Sequence, residues 1–197
     1  MSSRTIPKVF IIESLHENEE SSASRDGQAL CHILELEAER LPRYYYIRTK
    51  MELVEMARLF KLSNYRYLHL SCHGDRTGLQ LRLEGVSFSE FAEIFRDSLN
   101  DCRLFVSACK VGVEQFATEV FSTNPECYSV VAPRHKPGFT ESAVFWGSFY
   151  HLMFEEDKKA MKRSRINKTL TSLGKIFPPR LEYFRWSKKK RRTMRVS

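Results

Sequence analysis

Tyr65-Arg66-Tyr67-Leu68-His69-Leu70-Ser71-Cys72-His73-Gly74 and Arg103-Leu104-Phe105-Val106-Ser107-Ala108-Cys109 decide the reading of this chain. Each run is rich in apolar and aromatic residues until its last few positions, then turns polar, as a buried strand does on leaving the core. One ends in His-Gly and the other in cysteine. The 36 positions from His73 to Cys109 hold a glycine-marked excursion, a helix and the second strand. That is enough for the crossover of about a dozen or more residues that a parallel pair requires. Open α/β sheets place their sites outside the carboxyl ends of the strands. The spacing therefore predicts that His73 and Cys109 meet at one edge of one sheet.

Working outward, the pattern predicts strands and helices in alternation. Lys8–Ser14 reads as a buried strand, Leu15–Asp26 as a polar loop, and Gly27–Leu41 as a helix ended by Pro42. Tyr44–Thr49 is the next strand and Lys50–Leu62 the next amphipathic helix. After Tyr65–Ser71 come Gly78–Leu83, a turn at Glu84-Gly85, and Val86–Phe88 pairing back as a small hairpin. Ser87 or Ser89 is placed to cap a helix over Glu90–Leu99. A helix over Val113–Phe121 follows Arg103–Ser107, and Tyr128–Pro133 is a fifth strand of the alternation. Aromatic Glu141–Glu156 and then Lys158–Ile176 read as helices, with a break at Pro178-Pro179. Leu181–Trp186 reads as a last strand, at the edge. Such alternation implies an α/β fold with a mostly parallel sheet covered on both faces.

Composition narrows the classes. The chain has 197 residues, 42% of them apolar and 28% charged, which fits one ordinary soluble domain. Met1 to Lys8 lacks the layout of a signal peptide, and no apolar run approaches the roughly 20 residues of a membrane span. No membrane partner is expected, and the cytoplasm is the expected location. The net charge is +8, but Lys188, Lys189, Lys190, Arg191, Arg192 and Arg195 supply six of those charges, so residues 1–186 carry about +2. Residues 1–186 are read as the domain and 187–197 as a basic, unstructured tail. The basic run Lys188–Arg195 is the one segment suited to nucleic acid or an acidic partner; its alternative is a solvated end. Five cysteines, an odd number with no CxxC pair, argue against a disulfide framework and a zinc site. Cys31, Cys102 and Cys127 read as small core residues. No metal and no cofactor is called for.

A thiol attacks as thiolate, and a free one titrates near ~8.5. An adjacent imidazole takes its proton during attack and returns it to a leaving amine. Cys109 also lies just before a predicted helix, whose N-terminal end favours negative charge. The developing oxyanion needs donors, and the N–H groups of Gly74 and Cys109 are the natural pair. His73 as base and Cys109 as nucleophile are thus the candidate dyad. Cys72 precedes the histidine on the same strand and is expected to face the other way.

Leu68–Gly74 followed by Leu104–Cys109 closely resembles the signature of the CHAT family of caspase-related cysteine peptidases. The strand Val130-Val131-Ala132-Pro133 and the aromatic helix over Glu141–Glu156 stand where that family has a strand and an aromatic helix. The likeness spans roughly residues 60–155, with a looser fit from residue 8. It implies a caspase-haemoglobinase-like three-layer α/β/α sandwich and hydrolysis of peptide bonds in a protein substrate. It also implies roles for other positions. Ser107, two before the cysteine, falls where related peptidases line the pocket for the residue preceding the cut. Arg25, in Ser24-Arg25-Asp26-Gly27, resembles the arginine with which caspases read a carboxylate. Apart from the resemblance, Asp75 and Arg134 are candidates to reach a pocket by their loop positions alone, and a solvated side chain is at least as good a reading of each. The chain departs from the family after the cysteine, where it has Lys110-Val111-Gly112.

Three functions compete at this level. One is a cytoplasmic cysteine endopeptidase using His73 and Cys109. The second is a catalytically silent caspase-like module kept for binding, and the third a nucleic-acid-associated protein led by the basic run. For the first, the stretch Ser122 to Cys127 is too short for a cleavable linker of the caspase kind. An activating protein partner or self-association is therefore expected instead, acting on loops 75–78 and 134–140, with Leu181–Trp186 as the docking edge.

Overall fold

A computed structural model describes residues 5–20, 25–36, 41–156, 161–177 and 180–196 of the chain. The central strands follow from runs with apolar residues on both sides. These are β1 (Ile6–Ser14), β3 (Tyr65–Gly74), β6 (Arg103–Ser107) and β7 (Ser129–Pro133). They pair in parallel, with the short β2 (Arg43–Tyr46) beside β1. Two strands at the end of the chain, β8 (Leu181–Ser187) and β9 (Arg192–Arg195), join antiparallel. The sheet order is β2-β1-β3-β6-β7-β8-β9. A hairpin of β4 (Gly78–Gln80) and β5 (Gly85–Ser87) hangs on the end of β3.

Alternation along each strand divides the core in two. Phe10, Ile12, Leu68, Leu70, Leu104 and Val106 point to one face. There they meet α3 (Lys50–Ser63), α4 (Phe88–Ile94) and α5 (Glu114–Thr123). Val9, Ile11, Tyr67, Phe105 and Val131 point to the other. That face is covered by α2 (Asp26–Glu35), α6 (Phe139–Glu156) and α7 (Arg163–Leu173). The expected α/β class, a mostly parallel sheet between helical layers, is the observed fold. Local signals set several ends. Thr49 with Glu52, and Ser87 with Glu90, form reciprocal capping boxes at the starts of α3 and α4. Asn64 in the left-handed region ends α3.

The carboxyl end of the chain differs from expectation. Leu181–Trp186 is not an edge, because β9 covers it. The basic run is no free tail either; it is the turn and second strand of a hairpin. Thr193 is buried, its hydroxyl 2.7 Å from that of Thr118 on α5, and Trp186 packs beside Phe121. Arg195 pairs with buried Glu182. These contacts hold a segment that composition marks as solvated, while Lys188 to Arg191 remain exposed at the turn. The polar stretch after β1 also contains a short helical turn, α1 (Glu17–Glu20). The expected helix over Gly27–Leu41 stops at Glu35, and that over Glu90–Leu99 stops at Ile94. The expected start of a helix at Lys158, and the break at Pro178-Pro179, lie outside the described residues.

Candidate active site

The ladder between β3 and β6 carries the geometry. Tyr67 pairs with Arg103, His69 with Phe105, and Ser71 with Ser107, a constant offset of 36. His73 lies on β3 two positions beyond the last pair, and Cys109 lies two positions beyond it in the turn that follows β6. By alternation along β3, His73 falls on the face of Tyr67, whereas Cys72 joins the opposite core. The two ends also pack together. A Cβ built on Gly74 would fall 2.7 Å from a Val111 methyl and 3.4 Å from the Ala108 Cβ. Only glycine fits the His-Gly end against the turn that carries the thiol. Asp75 donates its N–H to the Gly78 carbonyl, at 3.0 Å. The alternation of an antiparallel ladder then turns the intervening Gly74 N–H away from β4.

A buried carboxylate fastens the two strand ends. Asp26, at the start of α2, accepts hydrogen bonds from the Ser71 and Ser107 hydroxyls, both at 2.5 Å. Burial pushes its carboxyl up, and those two hydroxyls work against the rise. Beside it, Glu13 of β1 is fully buried, accepting from the Gly27 N–H at 2.8 Å and from Tyr44 Oη at 2.6 Å. Burial raises Glu13 to about 7, and the nearby Asp26 charge adds to the rise.

His73 is partly exposed, its imidazole stacked on that of His16 with centroids 4.1 Å apart. Phe139 meets it edge-on. Its Nε2 is 2.5 Å from Glu19 Oε2 on α1. Four of the cysteines are buried; Cys109 is half-exposed. Partial burial pushes the Cys109 thiol up, and Asp26 adds to this, while Lys136 and Lys110 work the other way. Lys110 adopts a positive φ of 60°, and its N–H reaches the His135 carbonyl, which ties the turn after the cysteine to the loop after β7.

The remaining sequence-selected residues scatter. Ser107 is buried, with its hydroxyl committed to Asp26. Arg25 caps α2 by position and lies over the Tyr46 ring, 5.3 Å from its centroid. Asp75 closes its own turn, accepting from the Thr77 N–H and hydroxyl and from the Gly78 N–H. Those bonds, the Thr77 hydroxyl foremost, lower its carboxyl. Arg134 pairs with Glu182 and lies in a separate cleft with Arg76, Glu114 and Arg195. A cleft of about 620 Å³ runs from His16, His73 and Gly74 along the β4–β5 hairpin to Ser87. Cys109 is not on its wall. Glu19, Asp26 and Glu13 were missed from sequence. Asp26 lies inside the tetrapeptide chosen for its arginine, and Glu13 is a charge at the end of an otherwise apolar strand. Glu19 sits in an acid-rich run without a signal. Among the described residues no cluster of three metal-ligating side chains occurs, and no helix is long and apolar enough to cross a membrane.

No family model matches the sequence, and no curated protein matches it. Solved structures do. An inactive zymogen C11 protease from Parabacteroides distasonis superimposes with a TM-score of 0.60 at 9% identity. The match covers 94% of this chain and 63% of that one, so the chain spans somewhat under two thirds of that protein's length. A secreted C11 cysteine protease from Bacteroides thetaiotaomicron, iotapain, matches at 8% identity with a TM-score of 0.49, over 99% of this chain and 91% of that one. At 9% identity the first match establishes a common fold with that protein, a mostly parallel sheet between helical layers.

Proposed function

We propose that the chain is a caspase-like cysteine endopeptidase, of the CHAT type by its His-Gly and Ser-Ala-Cys ends, that hydrolyses peptide bonds in a protein substrate. The observation that supports the reading is the parallel ladder of β3 and β6, whose constant offset of 36 runs up to Ser71 and Ser107, two positions before His73 and Cys109. The likeness in fold to a C11 protease supports the class. Cys109 Sγ attacks the scissile carbonyl and His73 takes its proton, returning it to the leaving amine. The thiol is held above its ordinary value, so the proton leaves during attack and no thiolate is stored. The N–H groups of Gly74 and Cys109 receive the oxyanion, a contribution of roughly 2.7–4 kcal/mol per donor.

Control by a partner or by self-association belongs to the same proposal. The cysteine turn is tied to the loop after β7 through Lys110 and His135, so ordering of that loop would be felt at the thiol. An electrophilic peptide probe should label the wild type and not Cys109→Ala, with labelling lost in His73→Ala. Equal labelling of Cys109→Ala would end the assignment. For control, turnover per molecule should rise with protein concentration or on adding cell extract; a rate indifferent to both removes the switch.

A further inference from the structure

We propose that Glu19 is the positioning residue of the candidate site: it holds the His73 ring so that Nε2 carries the proton and Nδ1 faces the reaction. The inference rests on the reading of His73 and Cys109 as a catalytic pair, and it concerns which nitrogen serves. An imidazole has two nitrogens, and a carboxylate on one fixes both the tautomer and the ring plane. Here Nε2 lies 2.5 Å from Glu19 Oε2, and no hydrogen bond to Nδ1 is formed among the described residues. The neutral ring therefore keeps its lone pair on Nδ1.

The carboxylate is itself placed. Oε2 also accepts from the His16 N–H at 3.1 Å, and the Glu19 N–H returns to the His16 carbonyl at 3.0 Å. The turn is held from outside by Glu17 on Arg82, at 3.3 Å, and Arg82 in turn donates its N–H to Ser14 Oγ at the end of β1. His16 stacks on one face of the His73 ring and Phe139 closes its edge. The turn over residues 16–19 is thus folded around one imidazole.

The chemistry balances with this assignment. As Cys109 Sγ bonds to the carbonyl carbon, the π pair moves to oxygen and the thiol proton passes to Nδ1. The imidazolium that forms stays paired with the Glu19 carboxylate. Nδ1 then gives its proton to the amide nitrogen as the C–N bond breaks, leaving a thioester on Cys109. Nδ1 next takes a proton from water as the hydroxide oxygen bonds to the acyl carbon. That proton returns to sulfur as the acid departs.

Two measurements test the role. In ¹⁵N-labelled protein at pH 8.5, His73 should show the Nε2–H tautomer, and Glu19→Gln should lose that preference. In peptide hydrolysis, Glu19→Ala should lower kcat by up to about 10⁴-fold, the scale of loss when the carboxylate that orients a catalytic imidazole is disabled. KM should stay within about twofold, and added formate should restore part of the rate. An Nδ1–H tautomer in the wild type overturns the assignment whether or not the protein hydrolyses peptides. So does a Glu19→Ala variant as fast as or faster than wild type; the faster case would make Glu19 a restraint that holds His73 off the thiol. If the tautomer is as expected but Cys109 resists every probe, the peptidase reading fails while the placement by Glu19 stands.

Discussion

Glu13→Gln should make the protein more stable above neutral pH and leave it unchanged in mild acid. Glu13 is fully buried at the end of β1. Its folded value is about 7 against 4.5 for the free side chain. A raised carboxyl binds its proton more tightly in the folded state. The stability it contributes is full below about pH 4.5 and is lost as pH rises through about 7. The gap of some two and a half pH units corresponds to about 3 kcal/mol lost across that window. Glutamine has the same shape, keeps an oxygen for the Gly27 N–H, and offers its amide to the Tyr44 oxygen. It has no charge to bury, so its stability should lack this component. Thermal unfolding of both proteins from pH 4.5 to 8.5 is the assay. The difference in Tm should be near zero at pH 4.5 and grow to about 6–12 °C at pH 8, for a chain of this size. Two parallel curves across the whole range would refute the reasoning. They would mean that Asp26, and not Glu13, holds the proton that the buried pair retains.

Three further outcomes follow from the same neighbourhood and from the far end of the sheet. Gly74→Ala should cost about 1–3 kcal/mol by overpacking against Val111, with loss of hydrolysis; Val111→Ala in the same chain should recover most of the stability, and simple additivity of the two would deny the contact. Asp26→Ala should destabilise by about 1–3 kcal/mol for each hydroxyl left unpaired at Ser71 and Ser107, whereas Asp26→Asn, which can still bond both, should cost less; equal losses would show that the charge and not the bonding matters. For the basic hairpin, an RNA oligonucleotide should be retarded at about 50 mM salt, and replacing Lys189, Lys190 and Arg191 by alanine should lower the slope of log affinity against log salt by about 2; no retardation by the wild type removes nucleic acid from its partners.

The sheet was legible because burial leaves a simple trace. Tyr65–Gly74 and Arg103–Cys109 are apolar on both faces until the pleat carries them out of the core, and one offset of 36 fixes their register. Glycine at position 74 was readable for its open N–H, but not for its contact with Val111, which lies beyond the second strand. What stayed hidden were polar residues whose partners are distant in sequence. Asp26 reaches Ser71 and Ser107, 45 and 81 positions away, and Glu19 reaches His73 across 54. A local pattern carries no record of such pairings. The β8–β9 hairpin was hidden for the opposite reason. Its composition is that of a solvated end, and only the fit of Thr193 and Trp186 onto α5 overrides it.

The β4–β5 hairpin sits inside the crossover between the two strands that bear His73 and Cys109, yet it pairs only with the last residues of β3. It walls the cleft that ends on the histidine while adding nothing to the parallel ladder. On the proposed reading, recognition and reaction are carried on separable parts of one connection. Substitution at Gln80, Gly85 or Ser87, which line the cleft, would reshape it without shifting the 36-residue register behind it. If the proposed chemistry holds, what the site accepts can change along the hairpin while the strand ends that carry the reaction stay as they are.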